Sequence, residues 1–346
     1  MTVDNKVLRM GVAGCGRMGQ IHINNMLEMR FIVVTAVCSV IKTELDWAVK
    51  TIDGVLTFEN FDDFIASDTF DAVLIVTPNI FHHDQVIAAM HHGKHVFCEK
   101  PISPDAKSAW DVYYESLKYP DLKVCCGFPR RYVTPYVEAA KKIRNGDIGT
   151  VTTLRSQTTD LRMEGDYFVN YIKNSGGIFV DCCIHDIDAC LYLLGEDKTP
   201  ATAFSTGTTN AWPLFQQFRD VDDGMGLVTF ETEDVIMNVY GSRNNPHGHH
   251  TMTEVIGTKG RILINGQPRL IALDISDEKG TRMEAPDTQM TAFGYAFKLE
   301  MEAFRDWILY DKEPNFNLKD AAKAVSIGAA LMDSLGKKTL AKINVY

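Results

Sequence analysis

The sequence lacks a long uninterrupted apolar run. Its longest candidate, residues 31–41, includes Thr35 and Ser39 and falls well short of the roughly 18 apolar residues that a membrane-spanning helix requires. This segment is more typical of a buried strand. Residues 1–6 also lack the charged, apolar and small-residue zones of a secretory signal. We therefore expect a protein of the cytoplasm.

Cysteine spacings that bind zinc or form a redox couple are missing as well. The eight cysteines include two adjacent pairs but no Cys-x-x-Cys motif. They are expected to be reduced thiols in the core of a cytosolic protein. Cys182 and Cys183 are therefore not expected to act as nucleophiles.

Positive charge is in the minority. The 35 Lys and Arg residues are outnumbered by 45 Asp and Glu residues, which gives a net charge of −10. A negatively charged protein repels phosphate backbones and anionic lipid headgroups at long range. Nucleic acid and membrane surfaces are therefore not expected as partners.

The chain does contain enough apolar residues for two domains. It has 346 residues, 45% of them hydrophobic, whereas one domain usually takes about 150 residues. Up to residue 127, short apolar runs alternate with amphipathic stretches, which is typical of a parallel sheet with helices on both faces. The predicted strands are residues 7–13, 32–38, 72–76, 95–98 and 123–126, and the predicted helices between them are residues 20–28, 83–92 and 106–117.

The pattern changes after residue 127. Helices are predicted over residues 135–145 and 179–194, and Gly195 ends the second of them. Residues 204–264 are rich in short strands separated by turns, and helices over residues 301–310 and 321–335 follow. This part of the chain indicates an α+β domain with an antiparallel sheet.

A glycine-rich motif follows the first predicted strand and precedes a helix. Gly14 permits a tight turn, Gly16 lets the backbone approach a pyrophosphate, and Gly19 allows the helix to pack closely on the strand. The helix N-terminus would bind the pyrophosphate through its N–H groups and its dipole. In this context the motif predicts dinucleotide binding. The residues of this turn that we expect at the cofactor are Gly14, Gly16, Arg17, Met18 and Gly19.

The end of the second strand bears on the choice between NAD and NADP. An acidic residue there would bind the adenosine ribose of NAD and repel the 2′-phosphate of NADP. Ser39 occupies that place with no carboxylate beside it, and Lys42 lies nearby. A hydroxyl and a lysine can accommodate the phosphate, so the sequence slightly favours NADP. The alternative is that Ser39 tolerates either cofactor.

Two further strands end in polar residues at the edge of the sheet where ligands bind in open α/β folds. The residues in question are Thr77, Pro78, Asn79, Glu99 and Lys100. Lys100 precedes a proline and could project over a nicotinamide. The alternative is a solvated surface lysine.

Asp181 and His185 form the second pair of interest. They are four residues apart and would share one face of the helix predicted over residues 179–194. An aspartate and a histidine placed in this way can divide orientation and proton transfer between them. The alternative is a pair that only stabilises the helix.

Taken together, these motifs resemble the glucose-fructose oxidoreductase / inositol dehydrogenase / rhizopine catabolism (Gfo/Idh/MocA) family of NAD(P)-dependent oxidoreductases. The resemblance covers nearly the whole chain. It also includes His82, residues 93–96, residues 127–128 and Gly176-Gly177. Residues 175–188, together with Arg130-Arg131-Tyr132, look most similar to the inositol 2-dehydrogenase branch.

The resemblance implies a fold of class α/β: a Rossmann dinucleotide-binding domain over residues 1–127, followed by an α+β domain over residues 128–346 with a large, mostly antiparallel open sheet. The second domain would bind the substrate and form the subunit interfaces of a homodimer or homotetramer. The cofactor-binding residues outside the glycine-rich turn would be Ser39, Lys42, Thr77, Pro78, Asn79, His82, Glu99 and Lys100. The cofactor would be NADP or NAD, with no metal.

The resemblance also implies Lys100, Asp181 and His185 as the catalytic set. His185 would take the proton of the substrate hydroxyl, Lys100 would stabilise the developing alkoxide, and Asp181 would orient His185 or bind a neighbouring hydroxyl. The expected substrate is a cyclic polyol or sugar, such as an inositol. The alternatives are a dihydrodiol or aldose dehydrogenase and a non-catalytic protein that senses nucleotides.

Further substrate contacts are less specific. Donors to polyol hydroxyls could come from Arg131, Tyr167 and Tyr240, and Asp160 is a further candidate, although surface pairing and core packing explain these residues about as well. The histidines at positions 247, 249 and 250 are loosely spaced and have no accompanying cysteine or carboxylate. We expect them to lie in a solvated loop and to bind no metal.

Overall fold

The computed structural model describes residues 6–162, 172–173, 175–195, 198–232, 234–270 and 274–346. The chain divides into two units. The first runs to Pro129 and also includes Tyr295–Ala322, and the second comprises Arg130–Gly294 and Lys323–Tyr346. The first division lies two residues after the boundary predicted at residue 127. The prediction of a single boundary did not include the return of Tyr295–Ala322 to the first unit.

A six-stranded parallel sheet forms the centre of the first unit. The strands are β1 (Leu8–Ala13), β2 (Ile32–Cys38), β3 (Leu56–Phe58), β4 (Ala72–Ile75), β5 (His95–Cys98) and β6 (Val124–Cys126). Their order is β3-β2-β1-β4-β5-β6, so the direction of winding reverses between β1 and β4. That reversal opens a ligand-binding crevice at the carboxyl ends of the strands. The predicted Rossmann-type sheet is confirmed.

Five helices connect these strands, and local side-chain interactions help to determine where they begin. They are α1 (Arg17–Leu27), α2 (Lys42–Thr51), α3 (Phe61–Ile65), α4 (His82–His91) and α5 (Ala106–Ser116). Helix α5 begins after Asp105, whose carboxylate accepts a hydrogen bond from the Ser108 N–H. The sequence predicted α1, α4 and α5 to within a few residues, but not α2 or α3.

A seven-stranded mixed sheet forms the second unit. Its first six strands are β7 (Val151–Leu161), β8 (Pro200–Thr208), β9 (Asp223–Phe230), β10 (Ile236–Asn245), β11 (His250–Gly257) and β12 (Arg261–Ile264). A separate hairpin consists of β13 (Asp274–Asp277) and β14 (Gly280–Met283). In the large sheet only β7 and β10 pair in parallel. The predicted, mostly antiparallel sheet is therefore confirmed.

One face of this sheet is covered by helices. The helices of this part of the chain are α6 (Thr134–Arg144), α7 (Ile178–Asp181), α8 (Ile184–Leu194) and α9 (Gln289–Phe293). A Cβ on Gly241 of β10 would lie 2.6 Å from the Cys183 Sγ, so only glycine permits this contact. Strand β9 alternates between buried and exposed residues, and its exposed residues face away from the helices.

The helix predicted over residues 179–194 is two helices. The amides of Cys182 and Cys183 both donate to the Ile178 carbonyl, at 3.0 and 2.9 Å. The hydrogen-bond register therefore slips by one residue between α7 and α8. The predicted end at Gly195 is confirmed, because its φ of +100° suits glycine.

The C-terminal part of the chain contributes to both units. It contains α10 (Tyr295–Tyr310), α11 (Leu318–Lys337) and β15 (Ala341–Lys342). Met301 and Phe304 of α10 are fully buried in the same apolar cluster as Leu8 and Phe97 of the parallel sheet. Strand β15 pairs with β8 at the edge of the mixed sheet. Within the described ranges, no helix combines the length and the apolar character needed to cross a membrane.

Candidate active site

The glycine-rich turn forms a cradle that excludes side chains. Gly14 has a φ of +98°, and a Cβ on it would lie 2.7 Å from the Val76 carbonyl oxygen. A Cβ on Gly19 would lie 2.2 Å from the carbonyl oxygen of Gly14, so α1 packs directly on the turn. Gly16 precedes the first residue of α1, and no side chain caps this helix. Its first N–H groups therefore remain available for a pyrophosphate, as a dinucleotide requires.

A carboxylate that the sequence analysis missed lies beside this cradle. Ser39 donates a hydrogen bond from Oγ to the Oε2 of Glu44, at 2.6 Å. The other oxygen of Glu44 would lie 3.4 Å from a Cβ on Gly16. The premise that no acid accompanies Ser39 is therefore wrong, because the acid comes from the first turn of α2 and not from β2. Lys42 is exposed and pairs with Asp46 at 2.7 Å.

His82 connects two loops at the carboxyl edge of the parallel sheet. Its Nε2 lies 2.8 Å from the Thr77 carbonyl oxygen, and its Nδ1 lies 2.7 Å from the Pro101 carbonyl oxygen. Burial lowers the pKa of His82, although both carbonyl oxygens oppose this shift. His82 thus holds together the segment of Thr77 and the segment of Lys100. A direct cofactor contact by His82 stays a prediction.

Glu99 and Lys100 differ in their surroundings. Glu99 is buried, and its Oε2 accepts a hydrogen bond from the Lys100 N–H at 3.1 Å. Burial raises the pKa of the Glu99 carboxyl, but hydrogen bonding and charge from His22, together with the Lys100 charge, hold it below its usual value. Lys100 is only partly buried at the strand edge. The two residues therefore combine a buried acceptor with a side chain that can reach solvent or ligand.

Asp181 is held by a buried arginine on β10. Arg243 lies between two aspartates, with Nη2 at 3.2 Å from Asp181 Oδ2 and Nη1 at 2.6 Å from Asp220 Oδ2. The other oxygen of Asp220 accepts from the Ile178 N–H that begins α7, at 2.8 Å. Burial alone would lower the pKa of Arg243, but the charges of Asp220 and Asp181 raise it above its ordinary value. The ion pair with Arg243 holds the Asp181 carboxylate in place at the end of α7.

His185 lies in the first turn of α8, which a second network anchors. Asp186 accepts hydrogen bonds from Arg130 Nη1 and Ser156 Oγ, both at 2.7 Å, and from Thr158 Oγ1 at 2.6 Å. His185 itself is buried. Because Asp186 fixes this turn to β7, the adjacent imidazole has a defined position. Asp181 and His185 are therefore each positioned by a buried arginine–aspartate contact rather than by one shared helix.

Asp160 and His249 form a pair on the face of β7 that also carries Ser156 and Thr158. Asp160 Oδ1 lies 2.8 Å from His249 Nδ1, and Asp160 Oδ2 accepts from the Cys182 Sγ at 3.6 Å. The Asp160 side chain is 45% exposed, whereas that of His249 is 2% exposed. The expectation of a solvated loop is therefore wrong for His249, whose carboxylate partner is distant in the sequence. His247, by contrast, is exposed.

Two predicted substrate contacts, Arg131 and Tyr240, have protein partners. Arg131 is buried and donates to the Asp188 carboxylate, with Nη2 2.7 Å from Oδ1. This contact corresponds to the core-packing alternative given for Arg131 above. Tyr240 donates its hydroxyl to Asp223 at 2.6 Å, and burial together with that carboxylate raises its pKa to about 12. Gly241, the next residue along β10, faces the helices. Because neighbouring residues of a strand point to opposite faces, Tyr240 lies on the other face of the sheet. Tyr167 lies outside the described residues. Their roles as substrate contacts stay predictions.

The thiols near the site are inert. All eight cysteines are buried and none forms a disulfide with another. Burial raises the pKa of Cys182 and Cys183 well above the ordinary thiol value, so both are neutral at physiological pH. This agrees with the expectation that neither is a nucleophile.

Comparisons with known proteins agree with this geometry. The family model described as an oxidoreductase family with an NAD-binding Rossmann fold matches residues 8–118, and the model of its C-terminal alpha/beta domain matches residues 140–345. The chain is 32% identical to scyllo-inositol 2-dehydrogenase (NAD(+)) of Bacillus subtilis over 94% of both chains. It is 28% identical to myo-inositol 2-dehydrogenase of Thermotoga maritima over 97% of this chain and 98% of the relative.

A solved structure extends the comparison to the fold. Scyllo-inositol dehydrogenase from Lactobacillus casei, with bound NAD(H) and scyllo-inositol, has a TM-score of 0.91 and 32% identity, covering 98% of this chain and 99% of the other. The two domain models together match most of the chain. The chain therefore belongs to the Gfo/Idh/MocA family and is an NAD(P)-dependent oxidoreductase.

Proposed function

We propose that this protein is an NAD-dependent inositol dehydrogenase that oxidises one ring hydroxyl of an inositol to a ketone. The observation that carries the proposal is the joint presence of Lys100, Asp181 and His185 in a chain that matches an inositol 2-dehydrogenase over 94% of its length. Lys100 lies at the carboxyl edge of the parallel sheet, and buried partners hold Asp181 and the turn of His185. This arrangement supports dehydrogenation and not nucleotide sensing alone.

The residues divide the chemistry as follows. His185 accepts the proton of the reacting hydroxyl as the carbinol C–H bond breaks. The Lys100 ammonium stabilises the negative charge that develops on the same oxygen. Asp181, held in place by Arg243, orients His185 or accepts a hydrogen bond from a neighbouring hydroxyl. When bound, the nicotinamide ring accepts the hydride. In ketone reduction His185 returns the proton.

We propose NAD as the cofactor. Glu44 lies beside Ser39 and close to Gly16, where a carboxylate can accept hydrogen bonds from ribose hydroxyls. The same charge repels a 2′-phosphate. The preference for NADP rested on the absence of this acid, and the relatives of this chain include an enzyme named for NAD(+).

We further propose that Asp160 is a substrate contact and that His249 holds it. Its partly exposed carboxylate lies next to Cys182, which directly follows Asp181. An inositol ring carries several hydroxyls, so a second acceptor near the catalytic set would fix which of them reacts. The cofactor-binding residues predicted above are part of the same proposal, as is a domain division near residue 127, with Tyr295–Ala322 returned to the first unit.

Turnover measurements test the proposal. Purified protein is supplied with NAD or NADP and a panel of inositols, hexoses, pentoses and dihydrodiols, and the absorbance of reduced nicotinamide is followed. We expect NADH to form with an inositol. Lys100→Ala and His185→Ala should abolish turnover while NAD binding, measured by calorimetry, is retained. Full turnover in either variant contradicts the mechanism, and turnover only with a dihydrodiol or an aldose contradicts the substrate.

A further inference from the structure

Three buried ionisable residues meet inside the first unit, beneath the turn that carries Lys100. They are His22 of α1, Glu99 at the end of β5 and Glu300 of α10. One nitrogen or carboxylate oxygen from each lies within 4.8 Å of the others, and all three residues are buried. In the part of the chain that the structure describes, this is the one group of three or more His, Cys, Asp and Glu side chains with such spacing.

The contacts within this cluster lead directly to Lys100. His22 Nε2 lies 2.7 Å from Glu99 Oε1, and the low pKa of the Glu99 carboxyl makes the imidazole the donor. The second oxygen of Glu99 accepts from the Lys100 N–H at 3.1 Å. One carboxylate therefore bonds both a helix that starts at the glycine-rich turn and the main chain of the candidate catalytic lysine.

Aromatic rings fix the imidazole itself. The ring of His22 meets Phe97 edge-on at a centroid distance of 5.9 Å and Phe297 at 5.8 Å. Phe297 and Glu300 lie on the same helix, α10. The helix that returns from the C-terminal part of the chain therefore supplies both an aromatic ring and a carboxyl group to the cluster.

Stability does not account for this arrangement. Burying two carboxylates and an imidazole costs solvation free energy, and apolar residues of similar size in such positions are often as stable or more stable. A buried polar cluster of this kind defines one geometry at the expense of stability. The group whose geometry it defines here is the Lys100 turn.

We propose that His22 and Glu300 are positioning residues that act through Glu99 to fix the main chain of Lys100 with respect to α1. The inference rests on the proposed catalytic role of Lys100. It extends the functional set to a helix some two hundred residues away in the sequence, and it assigns no substrate or cofactor contact to His22 or Glu300.

Hydrogen exchange and kinetics test this inference in the full-length enzyme with NAD bound. The variants are His22→Gln and Glu300→Gln, which keep side-chain size and remove an imidazole or a carboxyl group. Met26→Leu is the matched control, because Met26 is buried on α1 one turn beyond His22 and makes an apolar contact only. We expect exchange in the peptide containing Lys100 to accelerate at least about tenfold in both variants. The kcat should fall by a similar factor, with KM for the inositol within about threefold, and Met26→Leu should resemble the wild type.

Other outcomes separate the possibilities. If the variants lose thermal stability but keep wild-type exchange at Lys100 and wild-type kcat, the cluster is only structural and the inference fails. One equivalent of copurified metal in the wild type, lost in His22→Gln, would show a metal site instead. If the wild type oxidises no inositol, the proposed function fails, and exchange at Lys100 still decides whether the cluster positions this turn.

Discussion

At the scale of single residues, the proposed choice of NAD depends on Glu44 rather than on Ser39 alone. A carboxylate placed by the first turn of α2 occupies the region usually served by an acid at the end of β2. Because Glu44 bonds to Ser39 and lies against the glycine-rich turn, its charge acts where a 2′-phosphate would lie.

Removal of this charge should change the cofactor preference. In Glu44→Gln the side chain keeps its size and loses the repulsion of a 2′-phosphate. We expect the ratio of kcat/KM for NADP to that for NAD to rise about tenfold, which corresponds to about 1.4 kcal/mol. Asp53→Asn removes an exposed charge just beyond α2 and is the control. An unchanged ratio in Glu44→Gln would show that another group excludes NADP.

Arg243 and His249 could not be found from local patterns, whereas Glu44 lies only five residues after Ser39 and was missed because the acid was sought at the end of β2. Arg243 and His249 each act through a partner that the fold supplies: Asp220 on a neighbouring segment and Asp160 on an adjacent strand. In contrast, the glycine turn and Lys100 could be predicted, because their function requires particular residues in consecutive positions.

At the scale of elements, burial decided which predictions succeeded. Strand β4 is buried at every residue and β1 at every residue except Arg9, so their sequences are almost continuously apolar and easily recognised. Helix α3 is only five residues long, which is too short for the helical spacing of apolar residues to be recognised. The break between α7 and α8 follows a one-residue slip in hydrogen bonding inside a continuously buried segment, which apolar periodicity does not reveal.

Because of that break, strand β10 rather than helix continuity places Asp181. Arg243→Met should leave the Asp181 and Asp220 carboxylates buried without their cation, so we expect kcat to fall at least about tenfold, with a loss of about 3–5 kcal/mol in the free energy of unfolding. Arg243→Lys keeps the charge and should restore part of kcat. The measurements are steady-state kinetics well below the melting temperature and chemical denaturation.

Ser205→Ala provides the control for destabilisation alone. Ser205 is buried in the same unit and donates from Oγ to the Leu331 carbonyl oxygen at 2.6 Å, with no contact to Asp181 in the described residues. It should lower stability and keep kcat. If Arg243→Met keeps wild-type kcat at a temperature where it is folded, Arg243 does not position Asp181.

At the scale of the whole molecule, the second sheet has a face with exposed apolar side chains among the described residues. Large apolar side chains exposed on neighbouring strands of this sheet are Phe204, Met225, Leu227 and Ile236. On this face Phe204 pairs across strands with Leu227, and Ile236 follows on the next strand. Contiguous apolar surface of this kind marks an interaction site. We propose that a second copy of the chain covers it, in a homodimer or homotetramer.

A charge in the middle of this face should prevent that association. In a twofold interface one substitution appears on both copies, so Leu227→Lys would place two ammonium groups against apolar surface. We expect the wild type to have at least twice the monomer mass by light scattering, and Leu227→Lys to have a lower mass at the same concentration. Leu117→Lys, at an exposed apolar position of the first unit, should keep the wild-type mass. A monomeric wild type, or a Leu227→Lys variant of undiminished mass, would show that this face is not the interface.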